Sequence, residues 1–367
     1  MKSYKNFSEI LLGIAIFYQI FITSYWQTVY TSHIWQGIGY FIYLILFFIM
    51  LFFFYKGKFK LNQLLYFFIC IMITIVFLVK GDSYIGTLFL IGSYVLILNV
   101  EEVLKVYFVS VLTAFSIVAM LSLAKVFPLT TADGTLVFGF RNQNTAGFYI
   151  ALVFIIYLTL RWQLRNTVTI ILGLVLSFFL IKALNDFTAA SIILVDILFY
   201  VLDKSFHAIY KWTLVRWLIV ASPILLTAIT FWIGFNYTRY SILSTLNVIF
   251  TSRPMIWNYY LTQYPLSFFG TNIGEVTFNT IGNGAFDGAY AYYALVHGMF
   301  AFCIIIIILT KSLITVSKSN NVKMISLMMT LIVAAFSENI PFTGFQSPLL
   351  PIAILISVMD NRILRFK

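Results

Sequence analysis

Charge is what this chain has least of: 10% of its 367 residues are Asp, Glu, Lys or Arg, against 62% hydrophobic. Soluble domains carry roughly 25% charged residues, and a surface facing water cannot be built from so few. A soluble two-domain enzyme is therefore excluded, as is a disordered chain, which needs the opposite balance. The two cysteines, Cys70 and Cys303, both lie in apolar runs and supply neither a disulfide framework nor a metal centre. No GxxxxGK[ST] loop, His-Glu metal motif or Gly-x-Ser-x-Gly elbow appears, which leaves ATP-driven transport, metalloprotease and serine-hydrolase chemistry without residues. Internal repeats and inverted duplications of broken helices are lacking too, which weakens a secondary-transporter reading.

What is present is apolar length. Mean hydropathy is +0.98, and a hydrocarbon core of about 30 Å takes roughly 17 to 25 helical residues to cross. Polar breaks mark off about twelve such segments, at 8–25, 34–55, 62–79, 84–100, 104–127, 144–160, 167–183, 186–202, 217–235, 289–310, 324–338 and 347–360. The fold expected is an all-α, polytopic membrane bundle. The first segment follows Lys2 and Lys5 but is too long for a signal-peptide core and lacks a small-residue cleavage site, so it is read as retained.

The formal charge of +11 then becomes a topology signal. Assigning alternate connections to the cytoplasm places 17 of the 23 cations there and both termini with them. The outer side keeps Lys80, Lys125, Arg141, Lys182, Arg239 and Arg253 against Asp82, Asp133, Asp186, Glu275, Asp287 and Glu338. Nucleic acid is not expected as a partner; the lipid bilayer is.

Most connections are short, with one exception on the outer face, residues 236–288 between the ninth and tenth predicted spans. Connections above about 15 residues in a compact protein are usually functional or disordered, and the Tyr, Trp and Phe content of this one, from Tyr237 to Phe269, argues for an ordered cap with a short helix near 254–263. The remaining outward polar groups are Arg141, Arg239 and Arg253, and the acids Asp186, Asp287 and Glu338 near predicted helix ends. Guanidinium forks are natural partners of pyrophosphate, a carboxylate can act as general base toward a hydroxyl, and aromatic rings suit sugar faces. Tyr290, Tyr293 and His297 share one face of the tenth predicted span. Asp196 falls mid-span, where an acid is costly, and is expected to be a structural pair or a neutral buried acid.

Three stretches carry a family resemblance. Gly139-Phe140-Arg141-Asn142-Gln143-Asn144-Thr145-Ala146-Gly147, Leu246-Asn247-Val248-Ile249-Phe250-Thr251-Ser252-Arg253 with Trp257, Tyr264-Pro265 and Phe268-Phe269-Gly270 after it, and Asp287-Gly288-Ala289-Tyr290-Ala291-Tyr292 followed by His297-Gly298-Met299 together resemble motifs of the Wzy-type bacterial polysaccharide polymerases, which belong with the O-antigen ligases. Gln143 stands where the pattern has Pro, and Gly288 where it has Asn.

The resemblance implies an enzyme of the bacterial cytoplasmic membrane, a glycosyltransferase that joins undecaprenyl-pyrophosphate-linked oligosaccharide repeat units at the outer face for capsule, O-antigen or exopolysaccharide. It implies no cofactor, nucleotide or metal, and a chain-length regulator and a flippase as partners. Arg253 and Asp287 are the expected catalytic pair, neutralising the departing pyrophosphate and deprotonating the attacking hydroxyl. Arg141, Arg239, Asn144, Trp257, Tyr290, His297 and Glu338 are the expected substrate contacts. An O-antigen ligase-like transferase shares these motifs, and a lipid-linked oligosaccharide flippase or exporter is the alternative outside that class.

Overall fold

The computed structural model describes residues 2–29, 33–56, 61–162, 167–206, 209–273 and 286–359. Outside them lie residues 274–285 of the outer connection with Glu275, the last residue of the segment 347–360, and six of the 17 cations assigned to the cytoplasm: Lys58, Lys60, Arg165, Arg362, Arg365 and Lys367.

The described residues are helical, with no strand and a single isolated bridge between Thr130 and Leu136. The first half comprises α1 (Lys2–Ile22), α2 (Trp26–Val29), α3 (His33–Tyr55), α4 (Leu61–Val79), α5 (Ser83–Tyr94), α6 (Val100–Leu123), α7 (Gln143–Leu160) and α8 (Thr167–Ala183). The second comprises α9 (Phe187–Ser205), α10 (Thr213–Asn236), α11 (Ile242–Ile249), α12 (Arg253–Gln263), α13 (Ala289–Tyr292), α14 (Met299–Ser319), α15 (Val322–Ala334) and α16 (Leu349–Val358). Six of these helices are long and apolar enough to cross a membrane, those within α3, α4, α6, α7, α10 and α14, and five further apolar helices are shorter. The chain is a helical membrane protein. Helix is the form that satisfies backbone N–H and C=O groups within one segment where no water can.

Short polar residues start the helices. Asn99 and Glu102 form a reciprocal capping box at α6, and Asp82, Asn142, Asp186 and Asn321 accept first-turn backbone N–H groups of α5, α7, α9 and α15. The centre is α16, buried at every position from Leu349 to Ser357 and apolar all round, as a helix enclosed by others must be. It packs on α14 and α5, while α7, α9 and α15 form a second contiguous group. The outside is apolar as well: Val168, Ile171, Val175 and Phe178 of α8 are all exposed, a surface suited to lipid and not to water. Asp196 is fully buried in α9 and accepts a hydrogen bond from Ser326 Oγ of α15 at 2.5 Å, the interhelical polar pair expected of a mid-span acid.

Two sequence expectations need correction. The segment 289–310 is not one helix: α13 runs into a π-helical turn, Tyr293–His297, and the backbone breaks at Gly298 (φ +94°) before α14 continues to Ser319. The stretch 267–271 fills the break, where Ser267 and Phe268 carbonyls accept the Met299 and Phe300 N–H groups at 3.0 Å each. A Cβ on Gly298 would strike the backbone of Gly270 and Phe269, so only glycine fits. The single face proposed for Tyr290, Tyr293 and His297 is lost with the regular helix. The second correction is in the outer connection, which carries two helices, α11 and α12, where one was expected.

Candidate functional site

α11 and α12 meet in a tight turn at Thr251 (φ 46°) and Ser252 (φ 67°), two successive non-glycine residues in the left-handed region. Such strain persists only where surrounding bonds over-determine it. Here Asn247 holds the turn, its carbonyl accepting Ser252 N–H at 2.8 Å and its side chain accepting Met255 N–H at 3.0 Å. The turn drives Arg253, the first residue of α12, inward until 5% of it is exposed.

A cation at a helix N-terminus opposes the helix dipole, so this one needs compensation. Glu338, four residues past the end of α15 and 4% exposed, supplies it: Arg253 Nη2 donates to Glu338 Oε1 at 2.5 Å. Arg253 Nε donates to the Ser337 carbonyl at 2.5 Å, and Nη1 to Thr251 Oγ1 and to the Phe250 carbonyl.

Two more carboxyls act on this pair. Asp287 is half-buried in the approach to α13, and Asp186 caps α9 through the Ala189 N–H at 2.9 Å. All three acids lie beyond helix ends. Burial raises the pKa of Asp287, with Arg253 opposing. Burial likewise pushes Asp186 up to about 6, against its backbone hydrogen bonds and Arg253. Glu338 is raised by burial and by repulsion from Asp287 and Asp186, with Arg253 again opposing. One guanidinium thus serves three carboxyls. Each of the three holds its proton more tightly than a free carboxyl does.

The backbone around this cluster is stitched together. Trp257 Nε1 donates to the Asp287 carbonyl at 2.7 Å, Asn339 Nδ2 to the Phe286 carbonyl at 2.7 Å, and Ala289 N–H to the Ala335 carbonyl at 2.8 Å. Gly288 threads between Trp257 and the Phe336 carbonyl at φ +102°, and a Cβ there would sit 2.6 Å from Trp257 Nε1. This chain therefore cannot accommodate the Asn of the resembled pattern without moving Trp257. Gly147 has a matching role at α7, since its missing Cβ is where the Asp186 carboxylate lies.

The other expected site residues are distributed around this centre. Arg141 and Arg239 are exposed, and among the described residues neither is a charge acting on the three carboxyls. Asn144 is half-buried in the first turn of α7, which Asn142 caps by accepting Thr145 N–H at 2.8 Å. Tyr290 is wholly buried and donates to the Ile332 carbonyl at 3.1 Å.

His297 belongs to a second polar group: its Nδ1 lies 2.7 Å from Asp82 Oδ2, and its ring stacks on Tyr84 at 5.2 Å. Burial works against the Asp82 carboxylate, but the hydrogen bond and attraction of His297, with backbone N–H groups at the start of α5, hold its pKa below the ordinary value. Tyr292, at the end of α13, packs on His297 at 5.5 Å and on Phe286, next to Asp287, at 5.5 Å, and so lies between the two groups. Asp82, Asp186 and Thr251 were not among the expected site residues. Asp82 and Asp186 each immediately precede an apolar run, the signature of a helix cap, and it is the fold that turns these caps toward a cation or an imidazole. Compared with models of protein families, with curated proteins and with solved structures, the chain matches none of them.

Proposed function

We propose that this chain is a twelve-span membrane glycosyltransferase, both termini in the cytoplasm, that lengthens a polysaccharide from undecaprenyl-pyrophosphate-linked oligosaccharide units at the outer face of a bacterial cytoplasmic membrane. The observation that carries the reading is the cluster of Asp287, Glu338 and Asp186 about Arg253, built where the long connection between α10 and α14 folds onto the helix ends. A half-buried carboxyl whose pKa is raised by burial is a fitting general base for a sugar hydroxyl.

In this reading Asp287 takes the hydroxyl proton as the acceptor oxygen attacks the donor's anomeric carbon. The bond from that carbon to the pyrophosphate oxygen breaks, its electron pair leaves on the pyrophosphate, and the anomeric centre inverts. Activation resides in the pyrophosphate ester. Arg253 is a positioning residue in the resting protein: four hydrogen bonds engage it, and a phosphate reaches its fork only by displacing Glu338. The exposed Arg141 and Arg239 are free to meet the pyrophosphate at the membrane surface, where a polyprenyl chain must keep it. A ligase would use the same chemistry with a different acceptor.

The test is Asp287→Asn in cells, read as polymer length on a gel beside an immunoblot of membrane fractions. Chain growth should stop at unchanged abundance. Wild-type polymer from this variant removes Asp287 from the reaction.

A further inference from the structure

Away from the carboxyl cluster, the end of α1, the start of α5 and the first half of α3 border an open cavity of about 350 Å³. Its wall combines Tyr18, Gln19, Thr23, Tyr43, Tyr84 and Thr87, and no charged side chain lines it. Tyr43 donates to Gln19 Oε1 at 3.0 Å, which leaves the two amide N–H groups of Gln19 without a protein acceptor among the described residues. The Thr23 and Thr87 hydroxyls each donate back to a helix carbonyl, to Gln19 and to Tyr84 at 3.0 Å, so their oxygens keep lone pairs for an incoming donor. Tyr84 remains 37% exposed although its ring lies parallel to His297.

The chemistry selects a ligand class. An anion finds no cation here. An acyl chain would bury the Gln19 amide N–H groups without an acceptor, at roughly 1 to 3 kcal/mol, and would leave the spare lone pairs of the threonine hydroxyls unused. A neutral pyranose satisfies both halves, its hydroxyl rim meeting the amide and threonines and its apolar face meeting a tyrosine ring. The volume lies in the range of small-molecule pockets.

We infer that this cavity is a saccharide subsite that takes a neutral pyranose unit of the glycan. The inference rests on the glycosyl-transfer reading for its place in the reaction. Tyr84, His297, Tyr292 and Phe286 form a continuous chain of packed rings from the cavity to the segment that carries Asp287, which fixes the cavity wall relative to that segment.

The test is saturation-transfer NMR on the full chain in nanodiscs, with free neutral hexoses, 6-deoxyhexoses and N-acetylhexosamines as probes and glycerol as the polyol control for lipid headgroups. At least one pyranose should bind in preference to glycerol. Gln19→Leu and the near-isosteric Thr87→Val should each weaken it about threefold to tenfold, the effect of one lost hydrogen bond, with thermal melting confirming that both variants fold. Asp287→Asn should leave binding unchanged. Absence of pyranose binding, glycerol binding equally well, or binding lost in Asp287→Asn and kept in both cavity variants overturns the subsite. Binding that follows this pattern in a protein unable to transfer lipid-linked glycan refutes the transferase reading and leaves the subsite standing.

Discussion

Removing Arg253 should expose how the outward cluster is balanced. In Arg253→Ala, Glu338 stays buried beside Asp287 and Asp186 with no cation among them, and breaking a buried pair from one side typically costs about 3 to 5 kcal/mol. The cost should fall at acid pH, because a protonated Glu338 no longer needs a counter-charge. Adding Glu338→Gln removes the stranded charge, so the double variant should recover most of the loss, leaving a coupling of about 2 kcal/mol or more in the cycle. Arg253→Lys keeps the charge but has three donors on one nitrogen, too few for the four bonds to Ser337, Thr251, Phe250 and Glu338, and should fall between wild type and Arg253→Ala. The assay is unfolding in mixed micelles by added denaturing detergent, at pH 5 and pH 8. Single-variant losses that add within about 0.5 kcal/mol, or an Arg253→Ala penalty equal at the two pH values, would refute the cluster as described.

Other perturbations have distinct signatures. Gly288→Asn, which restores the resembled pattern, should lower the yield of folded protein in fluorescence size-exclusion chromatography, since a side chain at φ +102° meets Trp257. Asp186, raised to about 6, binds its proton more tightly folded than unfolded; its contribution to stability is present below roughly pH 4 and lost as the pH rises to 6, and Asp186→Asn should flatten that limb of a stability–pH curve. Asp82 has the opposite sign: lowered by His297, it stabilises above roughly pH 4 and loses that contribution at lower pH, a limb that His297→Gln should reduce. Arg141→Ala and Arg239→Ala should raise the KM for a pyrophosphate-linked donor while leaving thermal stability within about 0.5 kcal/mol of wild type, as exposed positions do.

Much of the architecture was legible because the bilayer leaves few options: long apolar runs between polar breaks must be helices, and α3, α4, α7 and α10 lie where those runs place them. The breaks inside runs were not legible. Hydropathy is blind to Gly298, whose role is to let residues 267–271 enter the helix gap, a contact between segments about thirty residues apart. Arg253, Asp287 and Glu338 stood out as the rare charges on one side. Their enclosure by one another did not, because the composition of a loop does not say whether its arginine faces a ligand or a glutamate. Asp186 and Asp82 read locally as helix caps, and capping is indeed half of what they do. The packing of α9 on α7 through Gly147, and of His297 on Tyr84, gives each its second partner.

The central claim is tested most directly by the purified chain in liposomes, supplied only with undecaprenyl-pyrophosphate-linked repeat units from a host that makes them. The account predicts a ladder of lipid-linked oligomers, one equivalent of undecaprenyl pyrophosphate released per bond formed, inversion at the new linkage, and neither release nor ladder from Asp287→Asn. Translocation of the lipid-linked units across the bilayer with no new glycosidic bond, or a ladder from Asp287→Asn indistinguishable from wild type, would contradict it.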